Sequence, residues 1–195
     1  MKKFQLHQLL LVAMLAALSV ASKPFVFTVS SFATSHLLMP AGIVGGIWYM
    51  MWLSLTWRLV PRRGSVLLFG LVQAFLVIVA LGTPPIKAAT YIPPVLVAEM
   101  VYYFFRKPAL PADCLVGALA NFTGTVTSFL LFFGNRKEPL LIAAGISLIS
   151  GALSGFLTAA LAPRLQRALR LTQREENMTS EEAGSQLTEH GDPIL

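Results

Sequence analysis

Residues 91–107 read YIPPVLVAEMVYYFFRK: an apolar run carrying one acid, Glu99, and stopping at Arg106 and Lys107. A bilayer-spanning helix needs about 20 mostly apolar residues, and this run, extended back to Ala88, approaches that length. A charge at the centre of such a helix costs about 2.5–3.5 kcal/mol on insertion scales. An acid kept there needs a partner, either a protein cation or a ligand. Among the apolar runs delimited below, Glu99 is the only carboxylate, so its partner is the first functional question.

Composition supports a membrane reading of the whole chain. Of 195 residues, 55% are hydrophobic and 12% charged, with a mean hydropathy of +0.69. That charged share is about half of what soluble domains carry. The net charge of +6 does not indicate nucleic-acid binding, because the basic residues form small clusters at the ends of apolar runs. One cysteine, Cys114, excludes an intrachain disulfide. No zinc-ligand cluster, GxxxxGK[ST] phosphate loop or GxSxG elbow occurs. No acid–base or nucleophile–base pair emerges either. The chain reads as a non-enzyme with no cofactor or metal, and any ATP hydrolysis must come from another chain.

Six runs follow in order: 9–33, 37–57, 64–81, about 88–106, 114–133 and 140–161. The expectation is an all-α membrane protein, a six-transmembrane-helix bundle over residues 1–171. Residues 172–195 are polar, carry the acids Glu175, Glu176, Glu181, Glu182, Glu189 and Asp192, and are expected to be a disordered cytoplasmic tail. The first run has a basic start and small residues near Ala21-Ser22, as a secretory signal does. Its apolarity resumes after Lys23-Pro24, which favours a retained helix that Pro24 should kink or end. With six spans both termini share one side. On that side fall Lys2, Lys3, Arg58, Arg62, Arg63, Arg106, Lys107, Arg164, Arg167, Arg170 and Arg174, which is 11 cations. Lys87, Arg136 and Lys137, which is 3, fall on the other, so both termini are expected in the cytoplasm.

Polar groups within the runs mark candidate binding residues. Asn121, Thr125 and Ser128 follow an i, i+4, i+7 pattern and share a helix face. Ser147, Ser150, Ser154 and Thr158 do much the same, beside Gly151 and Gly155. Such faces point into a bundle, where they bond to one another or to a ligand. Glu99 either accepts hydrogen bonds from a cationic or amino-bearing solute, or is structural, paired with Lys23 or protonated against Asn121. Tyr91 lies nearer the outside. Trp48 and Trp52 share a face that either packs against lipid or the core, the favoured reading, or offers a surface on which a flat heteroaromatic solute could stack. Trp57, beside Arg58, fits an interfacial belt. His36, in the first external loop, is placed to lid a site. Ala13, Ala17 and Ala21 recur every four residues, a small-residue face that lets another helix approach closely.

These features together resemble the substrate-binding S components of energy-coupling factor (ECF) transporters: six spans, cytoplasmic termini and the Ala13-x-x-x-Ala17 stripe. Within that group the chain looks most like the S components for thiamin and its hydroxymethylpyrimidine precursor. GGIWYMMW (45–52), AEMVYYFFR (98–106) and SLISGALSG (147–155) carry that similarity, which spans about residues 9–170. The resemblance implies a multi-pass protein of a prokaryotic cell membrane. It binds a small vitamin or precursor at an outward-facing site and docks through Ala13, Ala17 and Ala21 onto a transmembrane T protein served by two cytoplasmic ATPase subunits. It further implies that Glu99 and nearby aromatic groups are the ligand contacts.

Overall fold

The structure is a computed structural model that describes residues 5–35, 42–105, 109–132 and 137–189, with side chains described at 5–29, 45–105, 109–132 and 140–169. His36, Arg106, Lys107 and Arg136 lie outside the described residues. Among those described the protein is all α-helical: α1 (Leu6–Ser35), α2 (Gly42–Leu59), α3 (Ser65–Leu81), α4 (Pro85–Ala89), α5 (Ile92–Phe104), α6 (Leu110–Phe132) and α7 (Lys137–Glu189). Each of the six apolar runs corresponds to a helix, and the short α4 occupies the segment between the third and fourth runs. Leu6–Val29, Leu110–Phe132 and Leu140–Leu169 are long and apolar enough to cross a membrane. The 17 residues of α3 and 13 of α5 are shorter. At 1.5 Å per residue α5 is roughly 20 Å long, less than the ~30 Å hydrocarbon core.

The backbone decides whether α1 ends at Pro24. Pro24 does not end α1, which continues to Ser35 with the proline inside it. Proline removes one backbone donor, here the one that would serve the Val20 carbonyl; one turn on, Thr28 Oγ1 donates to the Pro24 carbonyl at 2.9 Å. At the other end, α7 extends to Glu189. Its Gln, Arg, Glu, Ala and Leu content has strong helix propensity.

The chain divides into two compact units, residues 1–159 and 160–195. In the first, α1 packs on α2 and α3, α2 on α3 and α6, and α5 on α3 and α6. The polarity of this unit is inverted relative to a soluble domain. Large apolar side chains such as Leu10, Phe75, Met100 and Ile149 face outward, each more than 60% exposed. Ser19, Gln73, Asn121, Ser147, Ser150, Ser154 and Thr158 are buried. In hydrocarbon that arrangement is required, because polar groups have no water to bond and must find partners between helices. Gln73 Nε2 accordingly donates to Ser19 Oγ at 3.0 Å, tying α3 to α1. Thr158 Oγ1 reaches the Met51 carbonyl at 3.3 Å, tying α7 to α2.

The SLISGALSG stretch acts through its glycines. Gly151 lies against Gly117 of α6, so closely that a Cβ on either would collide with the other's backbone, and Gly155 is equally close to Cys114. Small residues at four-residue spacing permit this approach. It brings the polar face of α7 within hydrogen-bond reach of α6.

Candidate functional site

A cavity of about 300 Å³ lies between α2, the α4–α5 junction, α6 and α7. From α2 it is lined by Gly46, Tyr49 and Met50, and from the α4–α5 junction and α5 by Thr90, Tyr91 and Pro94. Helix α6 contributes Asn121, Gly124, Thr125, Ser128 and Phe129, and α7 contributes Ala143 and Ser147. No Asp or Glu is among these lining residues.

The polar equipment is concentrated on α6. Asn121 Nδ2 donates to the Ser147 carbonyl at 2.9 Å and to Ser150 Oγ at 2.8 Å. Both amide protons are thus used on α7, which fixes the amide plane and leaves Oδ1 as an acceptor at the cavity wall. One and two turns further along, the Thr125 and Ser128 hydroxyls face the same space, able to donate or accept. The phenols of Tyr49 and Tyr91 and the apolar surfaces of Met50, Pro94 and Phe129 complete the wall. Such a site takes a flat molecule with a few hydrogen-bonding groups on its edge.

The structure brings Tyr91, Asn121, Thr125 and Ser128 to this one cavity and leaves two expected contacts away from it. Trp48 turns to α1, where its Nε1 donates to Ser22 Oγ at 2.9 Å, and packs edge-to-face on Trp52 at 6.1 Å. Its sequence neighbour Tyr49 takes the cavity position. Glu99 sits at the N-terminus of α3, where its carboxylate accepts from the N–H of Gly64 at 2.5 Å and of Leu67 at 3.3 Å. Gly64 is the N-cap of α3, with φ +86. An anion there satisfies orphan donors and meets the positive end of the helix dipole. Glu99 is therefore paired with neither Lys23 nor Asn121. The alternative built on a Glu99–Lys23 pair loses its structural basis.

The sequence reading missed a second buried acid. Asp113 falls one residue before the apolar run at 114–133, yet it lies in the first turn of α6 and is fully buried. Its Oδ2 is 2.5 Å from Arg58 Nε, and its Oδ1 accepts from Tyr102 OH at 2.9 Å. Tyr102 stacks on Trp57 at 4.8 Å with the rings 11° apart. Trp57, 4% exposed, is thus an internal packing residue and not the interfacial one expected. The group links α2, α5 and α6. An Arg separated from an Asp by 55 residues leaves no local signal in sequence; an apolar run entered by an acid beside a Pro-Ala pair was the available clue.

On α1, Ala17 and Ala21 are exposed and Ala13 is partly exposed, flanked by the outward-facing Leu10, Met14 and Leu18. This face is free of the first unit's own packing.

No family model and no curated protein matches the chain. One solved structure, described as "Crystal structure of an S-component of ECF transporter", is similar with a TM-score of 0.65 and 20% sequence identity, over 98% of this chain and 100% of that one. The class that the fold defines is therefore an α-helical membrane protein with the S-component fold. At this identity the likeness speaks to the fold.

Proposed function

We propose that this chain is the solute-binding membrane subunit of an ATP-driven, ECF-type importer, and that its solute is thiamin or the hydroxymethylpyrimidine precursor. The observation that carries this reading is the cavity. It has room for a small heterocycle, and Asn121 Oδ1, Thr125 and Ser128 stand in a row to meet the polar edge of an aminopyrimidine. Tyr91 and Phe129 supply aromatic surface for the ring. The S-component fold of the solved neighbour supports the class. The SLISGALSG stretch, whose glycines bring α7 onto α6, supports the resemblance to pyrimidine-binding members.

In this reading the protein spans a prokaryotic cell membrane six times with both termini in the cytoplasm, as the 11 to 3 distribution of cations requires. It performs no chemistry on its solute. Ala13, Ala17 and Ala21 form the docking face for a transmembrane T protein, and two cytoplasmic ATPases supply the energy.

The test is purification of the tagged chain from its own host in mild detergent, with mass spectrometry of what accompanies it, followed by calorimetric titration with hydroxymethylpyrimidine and thiamin. Recovery of a T protein and two ATPases together with saturable binding of either compound is the expected result. Binding of a different vitamin in their place moves the assignment within the transporter class. Recovery of the chain alone, with no solute bound, refutes the proposal.

A further inference from the structure

Lys23 lies inside α1 and is 7% exposed, yet its Nζ has no hydrogen-bond partner among the described residues. It rests 3.8 Å from the centroid of the Tyr91 ring and 5.6 Å from that of Tyr49. Both tyrosines line the cavity. The amine therefore lies against two of the side chains that line the cavity.

Among the described residues no carboxylate compensates it. Of the nine acids in the chain, Glu99 and Asp113 are those whose side chains are described. Glu99 is held by the N-terminus of α3, and Asp113 by Arg58 and Tyr102. Glu99 is also eight residues along α5 from Tyr91, roughly 12 Å at the helical rise. Charging a buried amine without a counter-ion is costly, and stacking on two rings offsets only part of that cost. A residue kept at such a cost is expected to act on something that comes and goes. The space in front of its two aromatic neighbours is the cavity.

We infer that Lys23 sets the charge preference of the cavity, selecting neutral or anionic heteroaromatic solutes and rejecting cationic ones. The inference rests on reading the cavity as the solute site. It narrows the proposed pair to the neutral hydroxymethylpyrimidine, because thiamin carries a permanent thiazolium charge. A ligand group stacked on the far side of the Tyr91 ring would lie about 7 Å from Nζ, adding a contact distance of about 3.5 Å to the observed 3.8 Å. At an effective dielectric of about 20, one unit charge at that separation changes affinity by on the order of 10- to 50-fold.

The test compares wild type, Lys23→Met and Lys23→Arg in detergent, titrated with three compounds that share the pyrimidine ring. These are hydroxymethylpyrimidine (neutral), its phosphate monoester (anionic) and thiamin (cationic). Wild type and Lys23→Arg are expected to bind thiamin at least tenfold more weakly than the other two, and Lys23→Met to lose that discrimination. An unchanged order of affinities in Lys23→Met overturns the inference. If none of the three binds any variant, the pyrimidine reading fails separately, and the melting temperature of the unliganded proteins decides the role of Lys23. A higher value for Lys23→Met than for wild type supports a cation held for a ligand. A lower value shows that Lys23 is structural and overturns the inference.

Discussion

The Glu99 carboxylate accepts a hydrogen bond from the Gly64 backbone N–H at 2.5 Å, so an acid of α5 caps the N-terminus of α3. Capping from a neighbouring helix does two jobs. It satisfies donors that α3 cannot satisfy itself, and it sets the register of α5 against α3. Replacing Glu99 with Ala is expected to lower stability by about 1–2 kcal/mol. Solute affinity should stay within about twofold of wild type. Thermal melting and titration calorimetry on the same preparation check both. A tenfold loss of affinity with unchanged melting would return Glu99 to the binding site.

Asp113 presents a sharper stability test. It is fully buried, and its two oxygens serve Arg58 and Tyr102 separately. Asp113→Ala removes the buried carboxylate from the Arg58 guanidinium, which is expected to cost about 3–5 kcal/mol. Tyr102→Phe removes the hydroxyl that donates to Asp113 and should cost only about 1–2 kcal/mol. Melting temperatures of the two variants in one detergent give the comparison, and equal losses would show that the Arg58–Asp113 pair contributes little.

The cavity itself is tested most cleanly at Thr125, whose hydroxyl has no hydrogen-bond partner among the described residues. Thr125→Val keeps the shape and removes the hydroxyl. One ligand hydrogen bond corresponds to roughly 0.5–1.5 kcal/mol, so the Kd for the bound pyrimidine should rise about 2- to 10-fold at constant melting temperature. Unchanged Kd would remove Thr125 from the contact set.

Gly151 couples packing to binding. Any side chain there meets the backbone of Gly117 and Ala118, and relief requires α7 to move away from α6. Those two helices carry Asn121 and its partner carbonyl at Ser147. Gly151→Val is therefore expected to destabilise by about 3 kcal/mol and to weaken solute binding together. Full retention of binding would mean that the α6–α7 contact does not shape the site.

Under the proposed function the α1 face docks and the cavity binds, so the two are separable. Ala17 is exposed and lines no part of the cavity. Ala17→Leu, combined with Ala13→Leu, should abolish uptake in cells while leaving the solute Kd of the purified protein unchanged. Parallel loss of both would show that the two functions share a surface.

The site was partly legible because part of it is periodic. Asn121, Thr125 and Ser128 reach one cavity because a 3.6-residue repeat places them on one face, and that repeat is visible in the sequence. Trp48 and Tyr49 show where such reasoning stops. One residue along a helix is a rotation of about 100°, and the sequence alone did not decide which aromatic faced the cavity. The helix rotation also buried Trp57 on Tyr102, where proximity to Arg58 had pointed to the membrane interface.

An all-helical protein built to cross a membrane followed from the sequence by itself. Span length and apolarity are local properties, summed over about 20 neighbouring residues and judged against a bilayer of fixed thickness. The partners of the buried charges are not local. Glu99 lies 35 residues from Gly64, and Asp113 lies 55 from Arg58, so many pairings were open to each. Only the tertiary structure assigned Glu99 to a helix end, Asp113 to an arginine and Lys23 to two tyrosine rings. Each of those choices depends on which helices pack together, through contacts as small as a glycine against a glycine.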